Sequence, residues 1–427
     1  MLTILLFYIF IFIGIINLTH IALYLVGANM YDVNTFKTAK RKANSLRRNV
    51  KVSILIPAHN EEKTIARCLD SVLTSTVRDL EVIVIDDAST DATVKVVEQY
   101  IRTHCDFNRS ITLLKRIQNV GKAGALNYAL QRGVKGVFVM TLDADSVLHP
   151  RAIQYAVEYF YDDPHVVGVA ANVRVIDSHS ILGMLQKFEY MIGYRSKKFY
   201  TLSNSEYIVG GVASTYRYSV LKEVGFYDQD IQTEDIALSL KIAALGNKQY
   251  KLVYAADVIA MTEGVATLKS LLRQRYRWKL GSLQSLIKYN KLIFNSDKRY
   301  SKTLTWYRIP MAFLGELIVL TEPFLVIYIV YLSVIALSLQ NLFGAYILIT
   351  LYLLWNIWPD EHLSFRKKLR MTGNTPVMYF VFYIVNFVQL TAVIRCLINF
   401  RQVVHLQPMG SVWISPERSG HAVSSHS

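Results

Sequence analysis

Cysteine is scarce. The chain of 427 residues has three, Cys68, Cys105 and Cys396, odd in number and far apart. That argues against a disulfide framework or a thiol metal knuckle and suits a reducing compartment. Acidic residues are also short: 32 Asp and Glu stand against 47 Lys and Arg, a formal net charge of +15. Such an excess fits nucleic acid, an anionic membrane face or a phosphate-bearing substrate. Further absences argue against nucleic acid: no zinc-ligand spacing, no RNP-type aromatic signature and no basic recognition helix. There is no internal repeat and no long low-complexity stretch.

Apolar residues are abundant, at 52 % of the chain with a mean hydropathy of +0.26. The excess sits at the two ends. Residues 2–26 are apolar apart from Asn17, Thr19 and His20, about the length of a bilayer span. A secretory signal would show a basic start, a shorter apolar core and a small-residue cleavage site. None is discernible, so residues 1–27 read as an uncleaved transmembrane anchor. Lys37, Lys40, Arg41, Lys42, Arg47, Arg48 and Lys51 follow, so 28–50 reads as a basic linker kept cytoplasmic. It is suited to anionic lipid headgroups.

Apolar runs return at 309–339, 342–358 and 375–399, so 301–400 reads as C-terminal transmembrane helices and 401–427 as a polar tail. Arg366, Lys367, Lys368 and Arg370 favour a cytoplasmic loop between the last two runs. Glu316, Glu322, Asn386, Gln389 and Arg395 lie within these apolar runs. Polar groups at that depth face an aqueous interior or a neighbouring helix.

The middle, 51–300, alternates. Buried-strand runs are expected at 52–57, 80–85, 111–114 and 136–142, and helices at 61–73, from about 91, and at 121–131. This is α/β patterning and implies a mostly parallel, Rossmann-like sheet covered on both faces. Ligands bind beyond the carboxyl ends of such strands. A basic amphipathic helix over 267–290 suits the membrane interface.

Several residues at strand ends and helix starts carry chemistry. Asp143-Ala144-Asp145 follows a buried strand. Two carboxylates there can hold Mg2+ or Mn2+ together with a diphosphate; alone, the pattern also describes an exposed turn. Asp86-Asp87 could accept from a uracil N–H or a ribose hydroxyl, or cap the next helix. Gly121-Lys122 opens a helix, a place that attracts phosphate, although the spacing is not that of a P-loop. Thr233-Glu234-Asp235 offers a general base or an ordinary acidic first turn. Gln274-Arg275-Tyr276-Arg277-Trp278 offers Arg277 as a donor fork for phosphate and the Trp278 ring as a face for a sugar. The same stretch also describes a helix at headgroup level.

In this order, these motifs resemble those of the processive, membrane-bound family 2 glycosyltransferases, the cellulose, chitin, hyaluronan and poly-N-acetylglucosamine synthases. The likeness runs from Val52 through Gly281. Thr233-Glu234-Asp235-Ile236, the single catalytic domain and the tail Trp413-Ile414-Ser415-Pro416-Glu417-Arg418 resemble most the bacterial poly-β-1,6-N-acetylglucosamine synthases. Two departures stand out: Ala88 lies where glycine is commoner, and there is one N-terminal span where relatives can have two.

The resemblance implies a GT-A catalytic domain flanked by transmembrane helices, in the inner membrane of a bacterium with the domain cytoplasmic. It implies a UDP-sugar donor, best read as UDP-N-acetylglucosamine, and a nascent polysaccharide as acceptor; a cellulose-, chitin- or hyaluronan-like product, non-processive transfer to a lipid or polymer, and a non-catalytic membrane scaffold are the alternative readings. A divalent metal, membrane lipids and a small accessory membrane subunit would be its other partners. Pro57, Asn60, Glu61, Asp86, Asp87, Lys122, Asp143, Gln274, Arg277 and Trp278 would bind substrate. Asp143 and Asp145 would serve the metal. Asp235, with Glu234 beside it, would be catalytic.

Overall fold

The computed structural model describes residues 2–42, 50–104, 109–176, 180–335 and 337–405. Arg47, Arg48, Cys105 and the tail motif from Trp413 lie outside them.

One eight-stranded sheet organises the middle of the chain, in the order β3-β2-β1-β4-β7-β6-β8-β5. β1 (Val52–Ala58) and β2 (Leu80–Asp86) are buried along their whole length, as their Val, Ile and Leu runs demand. They pair in parallel with each other, with β3 (Arg109–Lys115) and with β4 (Phe138–Thr141). Pro57 falls beyond the β4 pairing, which ends at Leu55, and its missing N–H is tolerated there.

The second half is mixed. β7 (Ser214–Arg217) runs antiparallel to both β4 and β6 (Val166–Val175), which in turn is parallel to β8 (Lys251–Thr262). β5 (Val147–Leu148) closes the edge antiparallel to β8. Four of the seven pairings are parallel; the antiparallel ones carry the chain back across the sheet beside β4.

Period-2 alternation divides the core between the faces. Val52, Ile54 and Ile56 pack with α2 (Ile65–Leu73), α3 (Thr93–His104) and α5 (Ala152–Asp162). Leu55, Ile83 and Ile85 pack on the other face with α4 (Gly121–Gln131), α7 (Tyr218–Glu223) and α8 (Glu234–Gly246).

α1 (Leu2–Lys42) is one helix of 41 residues. It runs through the boundary expected at residue 27 and through the described part of the basic linker. It docks on α6 (Ile181–Leu202), where Gly27 lets the two helices approach: a Cβ there would lie 2.5 Å from Phe199. Arg195 and Lys198 of α6 pair with Asp32, and Tyr31 donates to the Tyr254 carbonyl at 2.9 Å. α9 (Leu268–Lys288) begins at Thr267, whose hydroxyl accepts from the Ser270 N–H.

A π-helical turn, Thr303–Arg308, leads into α10 (Ile309–Ile335). α11 (Gln340–Ile357), α12 (Phe365–Ile398) and α13 (Phe400–Val404) follow. Arg366, Lys367, Lys368 and Arg370 occupy the first turns of α12 rather than a loop. Among the described residues, three stretches are long and apolar enough to cross a membrane: Ile11–Thr35, Thr303–Ile335 and Phe365–Ile398. The apolar part of α11, Leu342–Ile357, is shorter. Arg174 of β6 donates to both Asp360 oxygens, at 2.8 and 2.9 Å, and ties the sheet to the turn before α12.

Candidate active site

The carboxyl ends of β1, β2 and β4 lie side by side. Chain order reverses at β1, with β2 and β3 to one side and β4 to the other. A crevice opens at such a switch point. Asn60 follows β1 in the left-handed region, at φ 56°, which asparagine tolerates. Its N–H donates to Ser89 Oγ at 3.0 Å, and its side-chain oxygen accepts from the Thr90 N–H at 2.8 Å. Glu61 is buried and accepts from the Thr64 hydroxyl at 2.8 Å, bracing the start of α2.

Asp86 and Asp87 take different tasks. Asp87 is fully buried, and its carboxylate accepts from the N–H groups of Val120 and Gly121, the latter at 2.9 Å. It holds the turn into α4, where Gly121 adopts φ 80°. Burial pushes its pKa up against these donors and Arg116. Capping, one of the two readings of this pair, thus applies to Asp87 but at α4; α3 is capped by Asp91, which accepts from the Thr93 N–H at 2.9 Å. Asp86 accepts from the Ser89 N–H at 3.3 Å through one oxygen, and its other oxygen is buried with no hydrogen-bond partner among the described residues. A buried acceptor of this kind is fit for a nucleobase N–H or a ribose hydroxyl.

Lys122 draws the remaining acids together. Its ammonium lies 2.5 Å from Asp143 and 3.3 Å from Glu234. Burial opposes its charge, but Asp143, Glu234 and Asp235 outweigh that and raise its pKa. Asp235 sits in the first turn of α8, half-buried, accepting from the Ile236 N–H at 2.9 Å. Burial and the neighbouring Glu234 lift its pKa from 3.8 to about 6, against the pull of Lys122. A carboxylate tuned toward neutrality is suited to taking a proton.

Asp145 is buried beside β8. It accepts from Ser146 at 2.9 Å and from Thr262 at 3.4 Å, while Arg67 bridges its backbone carbonyl, at 3.2 Å, and Glu263, at 3.0 Å. Among the described residues no three His, Cys, Asp or Glu side chains are grouped to hold a metal. The local donor set is two carboxylates, Asp143 and Asp145, all oxygen. Nearby, three carboxylates face the single ammonium of Lys122. That surplus of negative charge fits a hard divalent cation taking its other ligands from a diphosphate and water.

α9 carries Gln274, Arg277 and Trp278. Gln274 has a buried side-chain oxygen with no partner among the described residues, and Arg277 is exposed. The guanidinium of Arg275 stacks 4.3 Å from the Trp278 ring and donates to Glu189 at 2.6 Å. Gly281, two turns after Gln274, brings α9 against the segment that carries Asp235: a Cβ there would lie 2.4 Å from Thr233 Oγ1.

Sequence reasoning did not single out Gly210 and Gly211. A Cβ on Gly211 would lie 2.6 Å from Lys122 Nζ and 3.6 Å from an Asp235 oxygen. The Gly-Gly pair before β7 was the available signal. Arg67, Thr262 and Glu263 around Asp145 were also missed, and only pairing of β5 with β8 brings Thr262 and Glu263 there. In and beside the long apolar helices Asn386 donates to Glu322 at 2.5 Å, Lys279 pairs with Glu316 at 2.9 Å, and Arg395 stacks 4.4 Å from Tyr276. All three contacts join different helices.

Comparison with known proteins agrees with this geometry. Residues 53–225 match the family model described as Glycosyl transferase family 2. Poly-beta-1,6-N-acetyl-D-glucosamine synthase of Staphylococcus epidermidis is 31 % identical over 278 residues, 63 % of this chain and 65 % of its own. The synthase of Staphylococcus aureus (strain COL) is 33 % identical over 239 residues, 56 % of each chain. The chain thus spans about 56–65 % of the length of these relatives. A solved mannosyltransferase, PcManGT from Pyrobaculum calidifontis in complex with GDP-Man and Mn2+, is similar with a TM-score of 0.56 at 20 % identity. That likeness covers 85 % of this chain and 98 % of the other, and is one of fold. The sheet, its carboxylate-lined edge and the match of residues 53–225 agree: the middle of this chain has a GT-A fold and is similar to family 2 glycosyl transferases, and it is joined to helices long and apolar enough to cross a membrane.

Proposed function

We propose that the protein transfers a sugar, with inversion, from a UDP-sugar to the hydroxyl end of a growing β-linked polysaccharide. The observation that carries this reading is the meeting of Asp143, Glu234 and Asp235 around Lys122, with α9 packed against the same segment. It puts an acid of raised pKa beside a cluster of basic and acidic groups. UDP-N-acetylglucosamine is the favoured donor, supported by the names of the staphylococcal relatives.

Asp235 takes the proton of the acceptor hydroxyl, which attacks C1 of the sugar in line with departing UDP. One displacement on an α-linked donor gives a β-linkage. Lys122 and Arg277 offset charge on the leaving diphosphate, and the buried free oxygen of Asp86 accepts from the nucleoside. Pro57, Asn60, Glu61 and Asp87 bind or brace the same nucleotide. Gln274 and the free edge of Trp278 meet the acceptor end. Asp143 and Asp145 would hold Mg2+ or Mn2+, which supplies Lewis-acid stabilisation of the diphosphate.

The reaction is processive, and the polymer leaves through the membrane helices. Support comes from Glu316, Glu322, Asn386, Gln389 and Arg395 within apolar segments. The catalytic domain faces the cytoplasm of a bacterial cell, and membrane lipids, with a small membrane subunit, are the partners. The basic first turns of α12 support that side.

The test is to incubate purified full-length protein with a panel of UDP-sugars, with Mg2+ or Mn2+ and with EDTA. UDP release with UDP-N-acetylglucosamine, lost in EDTA, and a long β-linked product are expected. A product extended by one sugar would refute processivity, and undiminished release in EDTA would refute the metal. In proteoliposomes with the domain outside, polymer that remains open to an added glycanase would refute export.

A further inference from the structure

One face of α9 holds the segment that leads to Asp235. Gly281 lies against Thr233. One turn on, the side-chain oxygen of Gln284 accepts from the Gln232 N–H at 3.1 Å. Another turn on, Lys288 pairs with Asp228 at 3.0 Å and Asp230 at 2.8 Å. Tyr289 donates to Asp228 at 2.6 Å. Positions 281, 284 and 288 form a single stripe at helical spacing, and the stripe follows residues 233, 232 and 230–228 in reverse order.

Among the described residues, Gln284 also hydrogen-bonds to the segment that follows the last long helix. It is 1 % exposed, and its amide N–H donates to the Gln402 carbonyl of α13 at 2.8 Å. Gln402 receives a second bond from α9, its side-chain oxygen accepting from the Tyr276 hydroxyl at 3.2 Å. A donor at one end and an acceptor at the other leave the amide a single satisfying orientation. Thr233, by contrast, spends no side-chain bond on capping α8. The start of that helix is therefore held from outside, by α9 at Gln232 and Thr233 and by Lys122 at Glu234.

We infer that Gln284 is a positioning residue for the transfer reaction. Through the Gln232 backbone it sets where the first turn of α8 presents Asp235, relative to the Gln274, Arg277 and Trp278 edge of the same helix. Its bond to Gln402 keeps the amide turned toward that task and links the end of the last long membrane helix to the catalytic acid. This inference rests on the reading of Asp235 as the base.

The test compares Gln284→Met, which removes both bonds at similar volume, with Gln284→Glu, which keeps an acceptor for the Gln232 N–H. Full-length protein is assayed for UDP release from UDP-N-acetylglucosamine, with kcat and KM resolved. The expected result for Gln284→Met is a kcat about tenfold to a hundredfold lower, in line with a small misplacement of a reacting group. Its KM for donor stays within about twofold, since donor binding is untouched. Gln284→Glu keeps kcat within about fivefold of the parent, because the contact made by the side-chain oxygen survives. A parental kcat in Gln284→Met, a loss carried by KM, or a Gln284→Glu as impaired as Gln284→Met overturns the proposal. If Gln284→Met does not purify as a folded protein, Gln284→Glu decides: near-parental kcat supports the role and a collapsed kcat removes it. Asp235→Asn is run beside them. If it retains parental kcat, the base reading itself has failed; if it is inactive while Gln284→Met is normal, only the positioning role has failed.

Discussion

The ammonium of Lys122 stands 2.5 Å from Asp143 and 3.3 Å from Glu234, so one cation joins the end of β4 to the start of α8. It also favours the ionised form of Asp235, whose pKa is about 6. Activity that needs the Asp235 carboxylate should therefore fall as pH drops through about 6. Replacing Lys122 by Gln removes a positive neighbour, so the pKa of Asp235 rises and the acid limb of the pH–rate profile moves to higher pH. A profile of kcat against pH for both proteins checks the sign. An unmoved or lowered limb would show that another group controls it.

Asp235→Asn keeps the size of the side chain and abolishes its basicity. The rate of UDP release should fall about 10²–10⁴-fold, with binding of UDP by calorimetry nearly unchanged. A variant that still turned over at the parental rate would take the base role away from Asp235.

Ala88 occupies a left-handed conformation, φ 60°, at the end of β2. Glycine has no Cβ penalty there, so Ala88→Gly should stabilise the fold by about 1 kcal/mol even after the entropy of a freer unfolded chain is subtracted. Thermal unfolding in detergent reads this as a raised midpoint. A lowered midpoint would mean that the Ala88 methyl makes packing contacts worth more than the backbone strain.

Gly211→Ala places a methyl 2.6 Å from Lys122 Nζ. The obstacle is the far end of a flexible side chain, so the fold absorbs it while the ammonium leaves its central position. Activity should drop at least about tenfold, roughly the loss of one charge-assisted contact, with the unfolding midpoint held. Equal activity would show that Lys122 works from elsewhere.

The first half of the sheet was legible because parallel strands buried on both faces read as unbroken apolar runs. Val52–Ala58 and Leu80–Asp86 match the expected 52–57 and 80–85 nearly to the residue, and α4 matches at both ends. The helix expected from 61 starts at Ile65, because the left-handed Asn60 and the buried turn at Glu61 come first. β6, β7 and β8 did not announce themselves. β6 is interrupted by Asn172 and Arg174, and its pairing with β8 shifts register at Ala171. At the site, the acids were visible one by one, but not their meeting at Lys122, which depends on β7 crossing back beside β4. Nor could sequence show that Asp87 serves the backbone of the Gly121 turn, or that Arg275 stacks on Trp278.

The unbroken first helix has a practical consequence for anyone cutting this protein into pieces. A fragment that began at residue 50 would bare the side of α6 that now meets Gly27, Asn29, Tyr31 and Asp32. Phe199 would face water, and Arg195 and Lys198 would lose their counter-charge. Solubilising the protein by trimming its first helix would thus remove a wall of the sheet domain. A useful minimal version has to keep the stretch from about Tyr24 to Thr35, fused or grafted, as part of the folded body.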